Sequence, residues 1–205
     1  RINLRPDCLL TLTGITKRIS MQSTLAQEIW PAARDSRVAQ AVLVVAGTVL
    51  LAVSAKVQVP FWPVPMTMQT FVVLLLGIAY GPRLGFATGA LYLIEGALGL
   101  PVFAKGAGMA YLTGPTGGYL FGFVLAMAVI GLLAERGWSR SALGVLGAMF
   151  VGQILIFAPG VVWLGVVIGM DKAVTFGLTP FIAAEIFKIA LAAATVPLVW
   201  RAIRH

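Results

Sequence analysis

Six apolar runs lie between residues 38 and 200, and each is closed by proline, glycine or arginine; no other feature constrains this chain as strongly. A hydrocarbon core about 30 Å thick takes roughly 20 helical residues per crossing. Lipid offers no partner for a free backbone N–H or C=O, so runs of this kind become helices. The predicted spans are residues 38–55, 66–80, 84–100, 119–134, 142–169 and 180–200. Pro60, Pro63 and Pro65 stop the first connection from continuing as helix. Gly81-Pro82-Arg83 separates the second and third spans, Pro101 ends the third, and Pro159-Gly160 predicts a kink or local unwinding in the fifth. The expected fold is an all-α integral membrane protein of six transmembrane helices.

Composition excludes the competing classes. The 205 residues are 60% hydrophobic and 11% charged, against about 25% charged in a soluble domain. A soluble enzyme, a disordered chain and a disulfide scaffold are all excluded, the last because Cys8 is the sole cysteine. The net charge is +8. Its basic residues sit mainly between apolar runs, so the expected partner is the lipid bilayer with its anionic headgroups, not nucleic acid. No G-x-x-x-x-G-K-[ST] string occurs, so no ATP site is expected. His205 is the terminal residue and Cys8 lies outside the spans. No nucleophile–base or metal constellation results, and the reading is of a non-enzyme with no cofactor.

Residues 1–37 read as a cytoplasmic N-terminal segment, with 1–20 an extension ahead of a natural start at Met21. Ile29 and Trp30 suggest a short interfacial helix. Residues 38–205 read as a single six-helix membrane domain. With the N-terminus inside, the inner segments carry Arg34, Arg37, Arg83, Arg136, Arg140, Arg201 and Arg204, and the outer ones only Lys56, Lys105 and Lys172. Seven against three predicts both termini inside (N-in/C-in). G-x-x-x-G steps at Gly85/Gly89, Gly118/Gly122 and Gly165/Gly169 predict close helix contacts. A small-residue stripe on the first span, Ala41, Gly47, Thr48, Ala52 and Ala55, either packs internally or faces another subunit.

Charges inside spans are rare and mark function by default. Here they are Glu95, Glu185 and Lys188, all placed in the outer half, one to two turns down, with Gln69, Lys105 and Tyr111 near the same side. Glu185 and Lys188 are spaced i, i+3 and share a helix face. They are either a self-neutralising pair or a donor and acceptor set for a ligand carrying N–H and C=O groups. Glu95 reads as a site residue or a partly protonated core residue, and Lys105 and Tyr111 as site or plain loop residues.

Four ordered motifs resemble one family. Pro63-Val64-Pro65-Met66-Thr67-Met68-Gln69-Thr70 resembles the P-V-P-x-T-x-Q segment of the BioY biotin transporters, and Leu91-Tyr92-Leu93 with Gly99-Leu100-Pro101-Val102-Phe103-Ala104 their L-Y-L…G-x-x-G-L-P-V-F-A. Gly114-Pro115-Thr116-Gly117-Gly118-Tyr119 matches G-P-T-G-G-Y, and Pro180-Phe181…Glu185-Ile186-Phe187-Lys188 resembles P-F-x-x-x-D-x-x-K, with Glu185 in place of Asp. The resemblance implies the biotin-capturing S component of an energy-coupling-factor (ECF) transporter in the bacterial cytoplasmic (inner) membrane. Its implied partners are biotin, a transmembrane coupling subunit and two ATPase subunits. It implies that Glu185 and Lys188 help hold biotin, their spacing suiting its ureido group; Gln69 and Glu95 are further candidate biotin-binding residues, and Lys105, Tyr111 or loop N–H groups are candidates for the valerate carboxylate. Trp62, Phe103 and Trp163 are expected as apolar walls. The competing reading is a self-sufficient secondary transporter of another small solute, for which the sequence shows no inverted repeat.

Overall fold

The computed structural model describes residues 23–203; the expectations for residues 1–22, Arg204 and His205 lie outside them. Helix α1 (Leu25–Ile29) is the predicted short segment: Leu25 and Ala26 are buried, while Ile29 and Trp30 stay exposed. Helix α2 (Arg37–Lys56) starts where the Ser36 hydroxyl accepts from the Ala39 N–H at 3.3 Å. A small hairpin follows, β1 (Gln58–Val59) antiparallel to β2 (Met66–Thr67), with Gln58 opposite Thr67.

Helix α3 (Gln69–Ala97) contains both the second and third predicted spans. It is broken at Gly81, whose φ of 78° with ψ of 179° is a conformation open essentially only to glycine. Pro82 follows and has no N–H to donate. The two arms run antiparallel. At their far ends, Gln69, twelve residues before the break, donates to the hydroxyl of Tyr92, eleven residues after it, at 2.6 Å.

Helix α4 (Met109–Leu112) caps the same end as the β hairpin, and α5 (Gly117–Glu135) is the centre of the bundle. Both arms of α3 lie on α5: Gly77 and Gly85 face Met127, and Gly89 faces Val124. At the corner, a Cβ on Gly131 would sit 2.3 Å from the Pro82 nitrogen. On the opposite side Gly122 lets α5 approach α6 (Ala142–Ile168), where a Cβ would come 2.8 Å from the Ile156 Cα. These close backbone contacts are how helices associate where lipid removes the hydrophobic drive.

Helix α6 runs unbroken through Pro159-Gly160, so the expected unwinding is absent. Gly169 adopts φ 92° and ends α6, and Gly165 faces the turn at Met170, so this pair makes a cap and not a helix–helix seam. Helix α7 (Met170–Gly177) and a 3-10 turn (Thr179–Phe181) then fold back beside α6 before α8 (Ile182–Ile203) begins. Helix α8 runs antiparallel to α6, with Phe181 at 5.7 Å from Phe157 near one end and the Arg140 guanidinium 5.1 Å over Trp200 at the other. Five helical stretches among the described residues are long and apolar enough to cross a membrane, one of them the broken α3.

The small-residue stripe of α2 splits. Gly47, Thr48 and Ala55 are buried, and a Cβ on Gly47 would press into Thr88 at 2.6 Å, so this part packs against α3. Ala41 is exposed and Ala52 half-buried.

Candidate functional site

Four side chains from three helices form a buried polar cluster: Thr70 on α3, Gln153 on α6, and Glu185 and Lys188 on α8. None is more than 8% exposed. An uncompensated charge at such a position costs several kcal/mol, and the cluster compensates both. The Lys188 ammonium donates to Glu185 Oε1 at 2.7 Å, to the Thr70 hydroxyl at 2.8 Å and to the Thr67 carbonyl at 2.8 Å. An ammonium has three N–H groups, so all are engaged. The Thr70 hydroxyl donates to the carboxylate, 2.9 and 3.0 Å from its two oxygens. Gln153 Nε2 donates to Oε2 at 2.5 Å.

The cluster lies deep along α6. Gln153, which marks its level on α6, is eleven residues from Ala142 and fifteen from Ile168, about 17 and 23 Å along the axis at 1.5 Å per residue. Glu185 is in the first turn of α8, near the start of the last span as expected, and its contact with Gln153 sets it level with the middle of α6. The cause is α7, which brings the chain down beside α6 before α8 starts.

Above the carboxylate is a cavity roofed by the loops before and after the α3 hairpin. It is lined by the polar Thr67, Gln69, Thr70 and Glu185, by Val64 and Pro65, by an aromatic wall of Tyr119, Phe123, Phe157 and Phe181, and by Tyr111 and Thr116. Tyr119 and Phe157 meet edge to face at 5.7 Å, and the Tyr119 hydroxyl donates to the Gly177 carbonyl at 2.8 Å. The space for water centres is about 40 Å³, room for roughly three waters.

Of the predicted residues, Gln69, Tyr111 and Glu185 line this cavity. Gln69 also anchors the roof through Tyr92, whose hydroxyl donates to the Val102 carbonyl at 2.8 Å. Lys188 stands behind Glu185 and does not line it. Lys105 is exposed at the rim and donates to the Phe61 carbonyl at 3.2 Å. Glu95 is elsewhere, in a groove between α2 and the second arm of α3, where it accepts from the Thr48 hydroxyl at 3.1 Å. The expected apolar walls are also displaced. Phe103 is fully buried behind Tyr111, stacked on it at 5.0 Å; Trp62 is 76% exposed; Trp163 donates to the Gly114 carbonyl at 2.9 Å. Thr70 and Gln153 went unread as members of the cluster, although Gln153 is the one amide side chain in the apolar α6.

The described residues hold no group of three or more His, Cys, Asp or Glu side chains suited to a metal. A family model described as the BioY family matches residues 21–205. A "Biotin transporter BioY" of Thermotoga maritima is 42% identical over 148 residues, covering 71% of this chain and 86% of that protein. A "Probable biotin transporter BioY" of Pyrococcus horikoshii is 41% identical over 144 residues, covering 70% and 85%. The fold is similar to a crystal structure of the S-component for biotin from an ECF-type ABC transporter, with a TM-score of 0.69 and 22% identity, covering 80% of this chain and 92% of that one.

Proposed function

The chain belongs to the BioY family, and from that premise we propose that it captures biotin in the cavity above Glu185 and serves biotin uptake as the substrate-specific subunit of an ECF-type transporter. The observation that carries the reading is a buried carboxylate lining a cavity with an aromatic wall. Biotin's ureido group offers N–H donors, one of which the Glu185 carboxylate accepts at its remaining position, and one carbonyl, which the Gln69 amide can meet. The thiophane ring and chain suit Tyr119, Phe123, Phe157 and Phe181, and the valerate carboxylate lies toward Tyr111, with Lys105 at the rim. Glu95 takes no part in ligand contact on this reading. Lys188 acts by holding Glu185 and Thr70 in place. Titration of the detergent-purified, monodisperse protein with biotin tests the proposal, and absence of saturable binding overturns it.

The same reading places six spans in the cytoplasmic membrane, counting the arms of α3 as two, with both termini inside. The cavity then opens outward. A transmembrane coupling subunit and two ATPase subunits supply the energy. Single cysteines near Arg136 and near Ala107 should react with an impermeant reagent from opposite sides; reaction of both from outside overturns the orientation.

A further inference from the structure

We propose that Gln153 is a positioning residue that aims the Glu185 carboxylate at the ligand, an inference that rests on the biotin reading for the ligand's identity. Glu185 lines both the central cavity and a lateral groove between α6 and α8, whereas Gln153 lines only the groove. Gln153 therefore stands behind the carboxylate as seen from the cavity. Its Nε2 is the one donor given wholly to Oε2, because the single Thr70 proton is divided between the two oxygens. A carboxylate has about four acceptor positions. Lys188, Thr70 and Gln153 occupy three, and the remaining one is left for a ligand N–H.

Two further observations point the same way. Gln153 is 8% exposed, and its Oε1 is buried with no hydrogen-bond partner. An orphaned buried acceptor is unfavourable, and leucine at this apolar position would avoid it. Reversing the amide would set its oxygen against a carboxylate oxygen, so the donor must face Glu185. The backbone beneath the amide is also held: a Cβ on Gly152 would press into Ile130 at 2.2 Å and Leu74 at 2.5 Å. The donor is thus mounted on a helix that cannot shift toward the bundle.

The test uses Gln153→Leu and Gln153→Glu in the full-length protein, with biotin as the probe. Gln153→Leu should bind roughly ten- to 100-fold more weakly, the effect of losing a hydrogen bond to a charged group, while remaining monodisperse. Gln153→Glu supplies a donor only while protonated. The charged groups it meets are Glu185 and Lys188 of α8, with neutral Thr70 from α3. Two adjacent carboxylates hold a proton to higher pH. This variant should bind like wild type at pH 5.5 and progressively more weakly toward pH 8.5, where the proton leaves and the carboxylates repel. Wild type should show no comparable slope. The ligand-free Gln153→Glu protein should also lose thermal stability over the same range relative to wild type. Wild-type affinity in Gln153→Leu, or a flat pH profile in Gln153→Glu, overturns the proposal. Failure of wild type to bind biotin overturns the functional reading instead, and the unfolding profile then decides the Gln153–Glu185 pairing alone.

Discussion

Glu185 and Glu95 are both carboxylates on helices apolar enough for lipid, and they sit in different surroundings. Glu185 is 5% exposed and receives donors from three helices: Lys188 on its own, Thr70 on α3 and Gln153 on α6. Glu95 is half-buried in a groove lined mainly by residues of α2, Val45, Val49, Val53 and Lys56 among them, and it accepts from the Thr48 hydroxyl. Burial and partner number rise together because a carboxylate is tolerated in an apolar interior only when its lone pairs are met. Glu185 therefore presents a carboxylate held from three helices at the base of a cavity, whereas Glu95 ties α2 to α3. The face on which each stands separates them: Glu185 turns into the bundle and Glu95 to the groove beside α2.

The comparison is broken most severely at Glu185 itself. Glu185→Leu removes the acceptor at the cavity floor and leaves the Lys188 ammonium buried without its counter-charge. Biotin affinity should fall more than 100-fold, and stability by about 3–5 kcal/mol, read as a drop in the thermal midpoint. Adding Lys188→Met should restore the midpoint but not the binding; recovery of both would reduce the pair to a structural role.

Lys188→Ala comes next. It removes three donors, to Glu185, Thr70 and the Thr67 carbonyl. At about 1.5–3 kcal/mol for hydrogen bonds to charged groups, affinity should fall roughly ten- to 150-fold, measured by calorimetric titration. Equal affinities would return the pair to charge neutralisation alone.

Thr70→Val keeps the shape and deletes the hydroxyl that relays between ammonium and carboxylate. A loss of about 1 kcal/mol corresponds to roughly five-fold weaker binding, and unchanged binding would show that Lys188 and Glu185 suffice without the relay. The smallest effect belongs to Glu95→Gln, which keeps an acceptor for Thr48. Biotin affinity should change less than about two-fold; a loss comparable with that of Lys188→Ala would mean that the α2 groove and the cavity act together.

Much of this architecture is legible in the chain. Gly81-Pro82 marks the corner of the α3 hairpin, because that backbone conformation needs glycine and the next residue cannot donate. Gly85/Gly89 and Gly118/Gly122 mark contacts on α5. The i, i+3 spacing puts Glu185 and Lys188 on one face, 2.7 Å apart. What escaped was the choice of face. In water a polar stripe shows which side of a helix is outside, but lipid and protein interior are equally apolar, so an uncharged span carries little such record.

By itself, then, the sequence determined the apolar segments, the breaks between them, the pair on α8 and the family, since backbone satisfaction in lipid and the stereochemistry of glycine and proline act locally. Only the tertiary structure decided that α7 turns back and sets Glu185 level with Gln153, that Phe103 hides behind Tyr111, and that Glu95 faces the α2 groove. Those outcomes depend on which small residues meet across helices far apart in the chain, where a single Cβ forbids or permits the approach.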